Sequence, residues 1–407
     1  MQELAAYSTV AATLGLVVAR PRVGRMRLDP AVAGFAGVLL LALLGLVHVD
    51  AAARAGADLA GPFAAIAAVM VMTAAAERTG TLALLAARLE AGAGTARTLF
   101  RRVFLLAVVT STALNNDAAI LLLTPLVVAL VRRRAPGRPE LVAPFAFAVF
   151  VAAGVAPLPV SNPMNMVVAG AAGIGLADYA LRMLPVAAAG WLLSYALLAL
   201  IFRRALAAPL AAPPADPPAA TPTQRRTLAL LAAVLVGYGV AGALAAPVWP
   251  VACAGALLAL GPRPDPGRLA RSVSWSTLAF LFAAMLLALA LLDAGVVDRL
   301  RDHYAGAGPL GIGATSAAGS ALLNNHPMAY INLLALDGRG HAAVLAALVG
   351  GDLGPRLLPI GSLAGLLWLD CLRRAGVDLP LRRFVAVGAL VTLPVLALSL
   401  SLLALAG

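Results

Sequence analysis

The sequence predicts an all-α polytopic membrane protein: about 10 transmembrane helices plus two re-entrant hairpins in two inverted repeats, with two helices broken mid-membrane. Three observations carry this expectation. The 407 residues are 62% hydrophobic and 12% charged, with a mean hydropathy of +0.95, too little polar surface to wrap a water-soluble core. Apolar runs of roughly 20 residues, each able to span the hydrocarbon layer as a helix, recur from end to end. The breaks between them are short and carry arginine. Soluble enzymes and disordered chains are thereby excluded.

All 30 basic residues are arginine, and the formal charge is +12. The absence of lysine removes a Walker-type phosphate loop, a Schiff-base lysine and any lysine nucleophile. The arginines cluster in loops between apolar runs, as the positive-inside rule expects, so no nucleic-acid partner is expected. Cys253 and Cys371 lie within or beside apolar stretches. They read as ordinary small residues, neither disulfide staples nor a thiolate metal site, and no metal or other cofactor is expected.

Span 1 (4–19) has its acid before the apolar run and Arg20, Arg22, Arg25 and Arg27 after it. That is a first crossing with an outside N-terminus, not a cleaved signal peptide. Span 2 (31–48) leads to an outer loop with Asp50, Arg54 and Asp58; span 3 (59–76) returns and is followed by a short helix near 81–90. Residues 103–131 then form a 29-residue apolar stretch with a polar centre, Ser111 to Asp117. A single crossing would put Arg132, Arg133, Arg134 and Arg138 outside, so a re-entrant hairpin with its tip at Asn115 to Asp117 is expected.

Residues 142–177 are interrupted by Pro157, Pro159 and Pro163, which no continuous helix accommodates. Span 5 (183–202) closes a first repeat over 1–204, and a linker over 205–226, with six prolines between 209 and 222, leads to a second repeat over 227–407. There spans 6 to 8 (227–246, 247–261, 273–292) precede a second hairpin at 308–336, a broken helix at 341–372 and span 10 (384–405), which ends outside. On this tracing 24 arginines are cytoplasmic, five outside, and Arg356 lies in a break. Inverted repeats with paired discontinuous helices point to a transporter with a mid-membrane site.

Six of the seven asparagines fall at three interruptions: 115 and 116, 162 and 165, 324 and 325. Both tips read Ser-x-x-Leu-Asn-Asn, 209 residues apart. Neutral amides offer donors and acceptors without a buried charge, which suits a small polar solute; they also cap hairpin ends, and both uses stay open. Asn115, Asn116, Asn162, Asn165, Asn324 and Asn325, with Ser161 and Ser362, are the candidate solute-lining residues. Asp117 and Asp352 are acids at membrane depth and candidates for proton carriage. The structural alternatives are an N-cap for Asp117 and an ion pair with Arg356 for Asp352. His326 is a third proton candidate, with a hydrogen-bonded structural role as the alternative.

The stretches 114–125, 159–165, 323–328 and 351–369 (Gly-Asp-Leu-Gly-Pro-Arg-Leu-Leu-Pro-Ile-Gly-Ser-Leu-Ala-Gly-Leu-Leu-Trp-Leu) resemble the arsenite/antimonite efflux permeases of the ion transporter superfamily. The resemblance covers nearly the whole chain. It implies export of neutral trivalent arsenic and antimony hydroxides from a bacterial cell, across the inner membrane, in exchange for protons. It also implies a scaffold beside an elevator-like moving domain, and in some members an accessory cytoplasmic ATPase; a homodimer in the lipid bilayer is the accompanying expectation. The tips read Asn-Asn-Asp and Asn-Asn-His where related dicarboxylate carriers have Ser-Asn-Thr, which disfavours carboxylate binding. His326 departs from members with methionine there. A sodium/proton antiporter is the nearest alternative. An intramembrane aspartyl protease using Asp117 and Asp352 would leave the paired asparagines unexplained, so an enzyme is not expected.

Overall fold

A computed structural model describes residues 2–19, 21–23, 26–113, 116–212, 219–244, 246–247, 249–261, 266–293 and 295–406. The first half contains α1 (Gln2–Ala19), α2 (Pro30–Leu43), α3 (Val49–Arg78), α4 (Thr81–Glu90), α5 (Ala96–Ala113), α6 (Asn116–Arg134), α7 (Val142–Ala152), α8 (Pro163–Ala171) and α9 (Leu176–Ile201). The second contains α10 (Pro222–Ala243), α11 (Trp249–Leu260), α12 (Pro266–Ser272), α13 (Trp275–Asp293), α14 (Val296–Ala305), α15 (Pro309–Leu323), α16 (Asn325–Ala335), α17 (His341–Leu353), α18 (Leu363–Arg374) and α19 (Leu381–Ala406). A two-residue antiparallel ribbon pairs Arg22 with Arg27 in the first arginine loop. The linker residues 213–218 lie outside the described residues.

The segment 103–131 doubles back. Arg134, at the end of α6, donates to Glu90 O (3.1 Å) and Ala93 O (2.7 Å), just ahead of α5, and Arg133 pairs with the Glu90 carboxylate. The second hairpin closes in the same way, with Arg339 after α16 donating to Ala307 O before α15 (3.4 Å). Midway, Asn332 Nδ2 donates to Ser316 Oγ (2.8 Å), and Tyr304 OH donates to Asn332 Oδ1 (2.7 Å). The seventh asparagine is therefore a strut inside this hairpin.

The proline-rich interruptions break both helices. Between α7 and α8 a single 3₁₀ turn covers Pro159–Ser161; between α17 and α18 two such turns cover Gly354–Arg356 and Pro359–Gly361. Backbone groups freed at the first break find side-chain partners, as a membrane interior demands. Trp191 Nε1 on α9 donates to Ala152 O (3.0 Å), Asn116 Nδ2 to Gly154 O (3.4 Å) and Tyr179 OH to Ala156 O (3.1 Å).

Two details depart from the sequence reading. The outer loop expected at Asp50, Arg54 and Asp58 is the first half of the 30-residue α3, because its alanine-rich run sustains a helix that three isolated charges do not end. Helix α14, at 79° to α13, matches α4, at 56° to the latter part of α3, so a short bent helix precedes each hairpin. Among the described residues two unbroken helices, Leu176–Ile201 and Leu381–Leu405, are each long and apolar enough to cross a membrane alone. The other apolar helices are shorter or joined at bends and breaks.

The halves interlock: α2 packs on α13, α3 on α11, α9 on α19 and α6 on α18. Helices α15 and α17 approach closely through glycine, since a Cβ at Gly350 would stand 2.2 Å from Gly313 O. Under the breaks lies an aromatic core in which Phe150 stacks on the fully buried Trp368 at 4.7 Å, with Phe384 5.5 Å from Phe150.

Candidate functional site

The two breaks and the two hairpin tips meet. Ser161 Oγ, in the first break, donates to Thr112 O near the end of α5 (3.1 Å). Asn324 Nδ2, at the second tip, donates to Ile360 O in the second break (3.2 Å). Between them lies a cavity of about 30 Å³ whose polar wall is Asn116, Asn162, Asn325, His326, Asp352, Arg356 and Ser362. In this conformation it has room for at most about two waters. Larger clefts, including one of about 580 Å³ bordered by Arg132, Arg138 and Arg383, are open to the surface and hold no candidate residue.

Asp352, at the end of α17, ties this second-half helix to the first break. Its Oδ2 accepts from the Ala156 N–H (2.9 Å) and Asn165 Nδ2 (2.9 Å), and its Oδ1 from Asn162 Nδ2 (2.7 Å). Asn165 stands behind the cavity wall, fully buried, and its amide nitrogen also donates to Tyr179 OH (2.8 Å). The carboxylate thus accepts from three N–H donors within one closed network. No ion pair between Asp352 and Arg356 is formed among the described residues.

Side chains at and behind the cavity wall also cap helices. Asn162 Oδ1 accepts from Met164 N at the start of α8 (3.1 Å). Asn324 caps α16 by accepting from His326 N (3.2 Å), and does so at φ +82°, the sole non-glycine residue with positive φ among those described. Ser362 Oγ accepts from Gly365 N at the start of α18 (3.0 Å). His326 places Nδ1 3.2 Å from Asn324 Oδ1; since that oxygen only accepts, the bond requires the hydrogen on Nδ1, leaving Nε2 of a neutral ring as an acceptor. Asn325 Oδ1 is buried without a partner.

Asn116, Asn162, Asn325, His326, Asp352 and Ser362 therefore share one cavity wall, while Ser161, Asn165 and Asn324 stand behind it. Asp117 lies in the first turn of α6, and Asn115 lies outside the described residues. Arg356, Tyr179 and Trp191 were not among the sequence candidates for the site. Arg356 carries a signal in being a charge within a break; the two aromatics carry none.

Hairpins and broken helices closing on a buried polar cavity, in a chain this apolar, define an integral membrane transport protein. The family profile described as "Citrate transporter" matches residues 5–368. "Arsenical pump membrane protein" of Escherichia coli strain K12 is 32% identical over 337 residues, covering 77% of this chain and 79% of that one. "Putative arsenical pump membrane protein" of Bacillus subtilis strain 168 is 25% identical over 391 residues, covering 85% and 88%. The chain belongs to this citrate-transporter family, among its arsenical pump membrane proteins. The crystal structure of the Alcanivorax borkumensis YdaH transporter shares the fold, with a TM-score of 0.55 at 17% identity over 99% of this chain and 98% of that one.

Proposed function

We propose that the protein exports the neutral trihydroxides of trivalent arsenic and antimony from a bacterial cell in exchange for protons, by alternating access at the cavity around Asp352. The observation that carries the proposal is that cavity: neutral amides from both tips and the first break share its wall with one carboxylate from the second broken helix. A neutral trihydroxide can trade its water shell for amides and helix ends without bringing a net charge into the membrane. The polar wall holds one carboxylate and one guanidinium, so it cannot offset the three charges of a citrate. The names of the relatives support arsenic as cargo.

Asp352 is the proposed exchange point. A hydroxyl of the solute donates to the carboxylate in one phase of the cycle, and a proton occupies it in the other. Asp117 and His326 are the further proton candidates. The cavity must widen to admit a trihydroxide. The hydrogen bonds tying each hairpin to its break support movement of those elements as one elevator-like body against α1–α3, α10 and α11. We place the protein in the inner membrane with both termini outside, the two halves being inverted repeats. A homodimer and a cytoplasmic ATPase at the arginine-rich loops complete the proposal.

The test is arsenite uptake by inside-out vesicles under an imposed pH gradient. Accumulation that collapses with a protonophore is expected. Proton flux that follows sodium and ignores arsenite would replace this reading with a sodium/proton antiporter.

A further inference from the structure

Arg356 reaches the cavity from the 3₁₀ turn after α17 and is 3% exposed. Its Nη2 donates to Val151 O in the last turn of α7 (2.5 Å), while its Nε and Nη1 are buried without a partner. Charged donors left unmatched in an apolar interior are costly, and Asp352 forms no hydrogen bond or ion pair with them, its charge acting only at a distance. The guanidinium is also closely seated. A Cβ at Gly154 would stand 2.3 Å from Nη2, and a Cβ at Gly388 on α19 would stand 2.0 Å from Arg356 O.

The same wall presents the converse group, Asn325 Oδ1, an acceptor without a donor. Two free donors and one free acceptor match a small solute rich in hydroxyl groups, whose oxygens accept and whose hydrogens donate. The planar fork of a guanidinium suits two oxygens at once. Neither Cys253 nor Cys371 lines the cavity, whose polar wall is built of nitrogen and oxygen groups.

We propose that Arg356 is a substrate-binding, specificity-determining residue. Its Nε and Nη1 edge holds oxygens of a small, neutral polyhydroxylated oxoacid, while Asn325 Oδ1 accepts one of the hydroxyl hydrogens. This inference rests on the cavity being the solute site proposed above.

The experiment measures KM and kcat for arsenite and antimonite in inside-out vesicles carrying wild type, Arg356→Gln, Arg356→Lys or Gly154→Ala. Arg356→Gln is expected to raise KM about tenfold or more, and Arg356→Lys about three- to tenfold, with kcat changed less than about twofold. Gly154→Ala, which displaces the guanidinium without removing it, raises KM as well. The thermal stabilisation of purified protein by antimonite should shrink in all three variants. An anchor for Val151 O alone would behave otherwise: Arg356→Lys, whose ammonium can still donate to that carbonyl, and Gly154→Ala would keep the wild-type KM, and that result overturns the inference. If Arg356→Gln fails to fold, those two variants decide. Wild-type vesicles that do not move arsenite refute the proposed function itself, whereas active wild type with unmoved KM values refutes only the role of Arg356.

Discussion

Replacing Asp352 by asparagine keeps the shape of the side chain and removes its charge, and the network around it sets the cost. A carboxylate serves three donors: Ala156 N–H and Asn165 Nδ2 on Oδ2, and Asn162 Nδ2 on Oδ1. An amide has one oxygen. Placed at the Oδ2 position it keeps two bonds and turns its NH₂ toward Asn162 Nδ2, donor against donor. Asn162 cannot answer by flipping, because its Oδ1 caps α8 at Met164 N. One bond to a charged acceptor, about 1.5–3 kcal/mol, is lost and two fall to about 1 kcal/mol each. Relief from burying an ion offsets part of this, leaving Asp352→Asn about 1–3 kcal/mol less stable than wild type. Asp352→Ala leaves all three donors unmatched and costs about 3–5 kcal/mol. Reversible SDS titration in mixed micelles measures both, and vesicle uptake under a pH gradient measures coupling, which both variants should lose. Equal stability of the two variants would refute the network argument. Gradient-driven uptake by Asp352→Asn would remove the residue from proton exchange.

Tyr179→Phe leaves Ala156 O and one Asn165 N–H unmatched and should cost about 1–3 kcal/mol; a double-mutant cycle with Asp352→Asn should be non-additive by more than about 0.5 kcal/mol, since the two share Asn165. Gly350→Val drives side-chain atoms toward Gly313 O and Ser316 Cβ, 2.2 and 2.8 Å from the position of a Cβ, and should cost more than about 1–3 kcal/mol. Gly15→Ala, inside α1 with nothing within 4 Å of its Cβ, should raise stability by up to about 1 kcal/mol in the same titration. At Asn324, with φ +82° and ψ 144°, glycine relieves the backbone that alanine strains, so Asn324→Ala should be less stable than Asn324→Gly by about 1 kcal/mol. The reverse order would show that the tip relaxes out of this conformation.

Much of this arrangement was legible in the sequence, because interruptions of a membrane helix are costly and so are written in conspicuous residues. Pro157, Pro159 and Pro163 mark one break, Gly354, Pro355 and Pro359 the other, and clustered asparagines mark the turns. What was not legible depends on tertiary placement. The charges at 50, 54 and 58 resemble a loop until α3 is seen to run through them. Arg356 stands four residues after Asp352, a helical pairing distance, yet the 3₁₀ turn at Gly354–Arg356 takes it out of α-helical register, and its guanidinium reaches Val151 on the other broken helix. Tyr179 and Trp191 look like ordinary aromatics of a membrane helix; only the packing of α9 against the first break gives them carbonyls to serve.

Helix capping and lining the cavity fall here to the same side chains, Asn162 and Ser362. Asn162 caps a helix with its oxygen and holds Asp352 with its nitrogen. The cap fixes the direction of the amide, so its nitrogen meets the carboxylate without further ordering cost, which is preorganisation supplied by secondary structure. A charged side chain at the same place would need a counter-ion of its own inside the membrane. With the break carbonyls of Val151, Ala152, Gly154 and Ala156 engaged and both Asp352 oxygens accepting, the fully buried unmatched polar atoms on the described cavity wall belong to Asn325 and Arg356. Whatever enters must satisfy an acceptor and a cationic pair of donors together. A small hydroxide, with oxygens that accept and hydrogens that donate, has the groups to do this, as the proposed function requires.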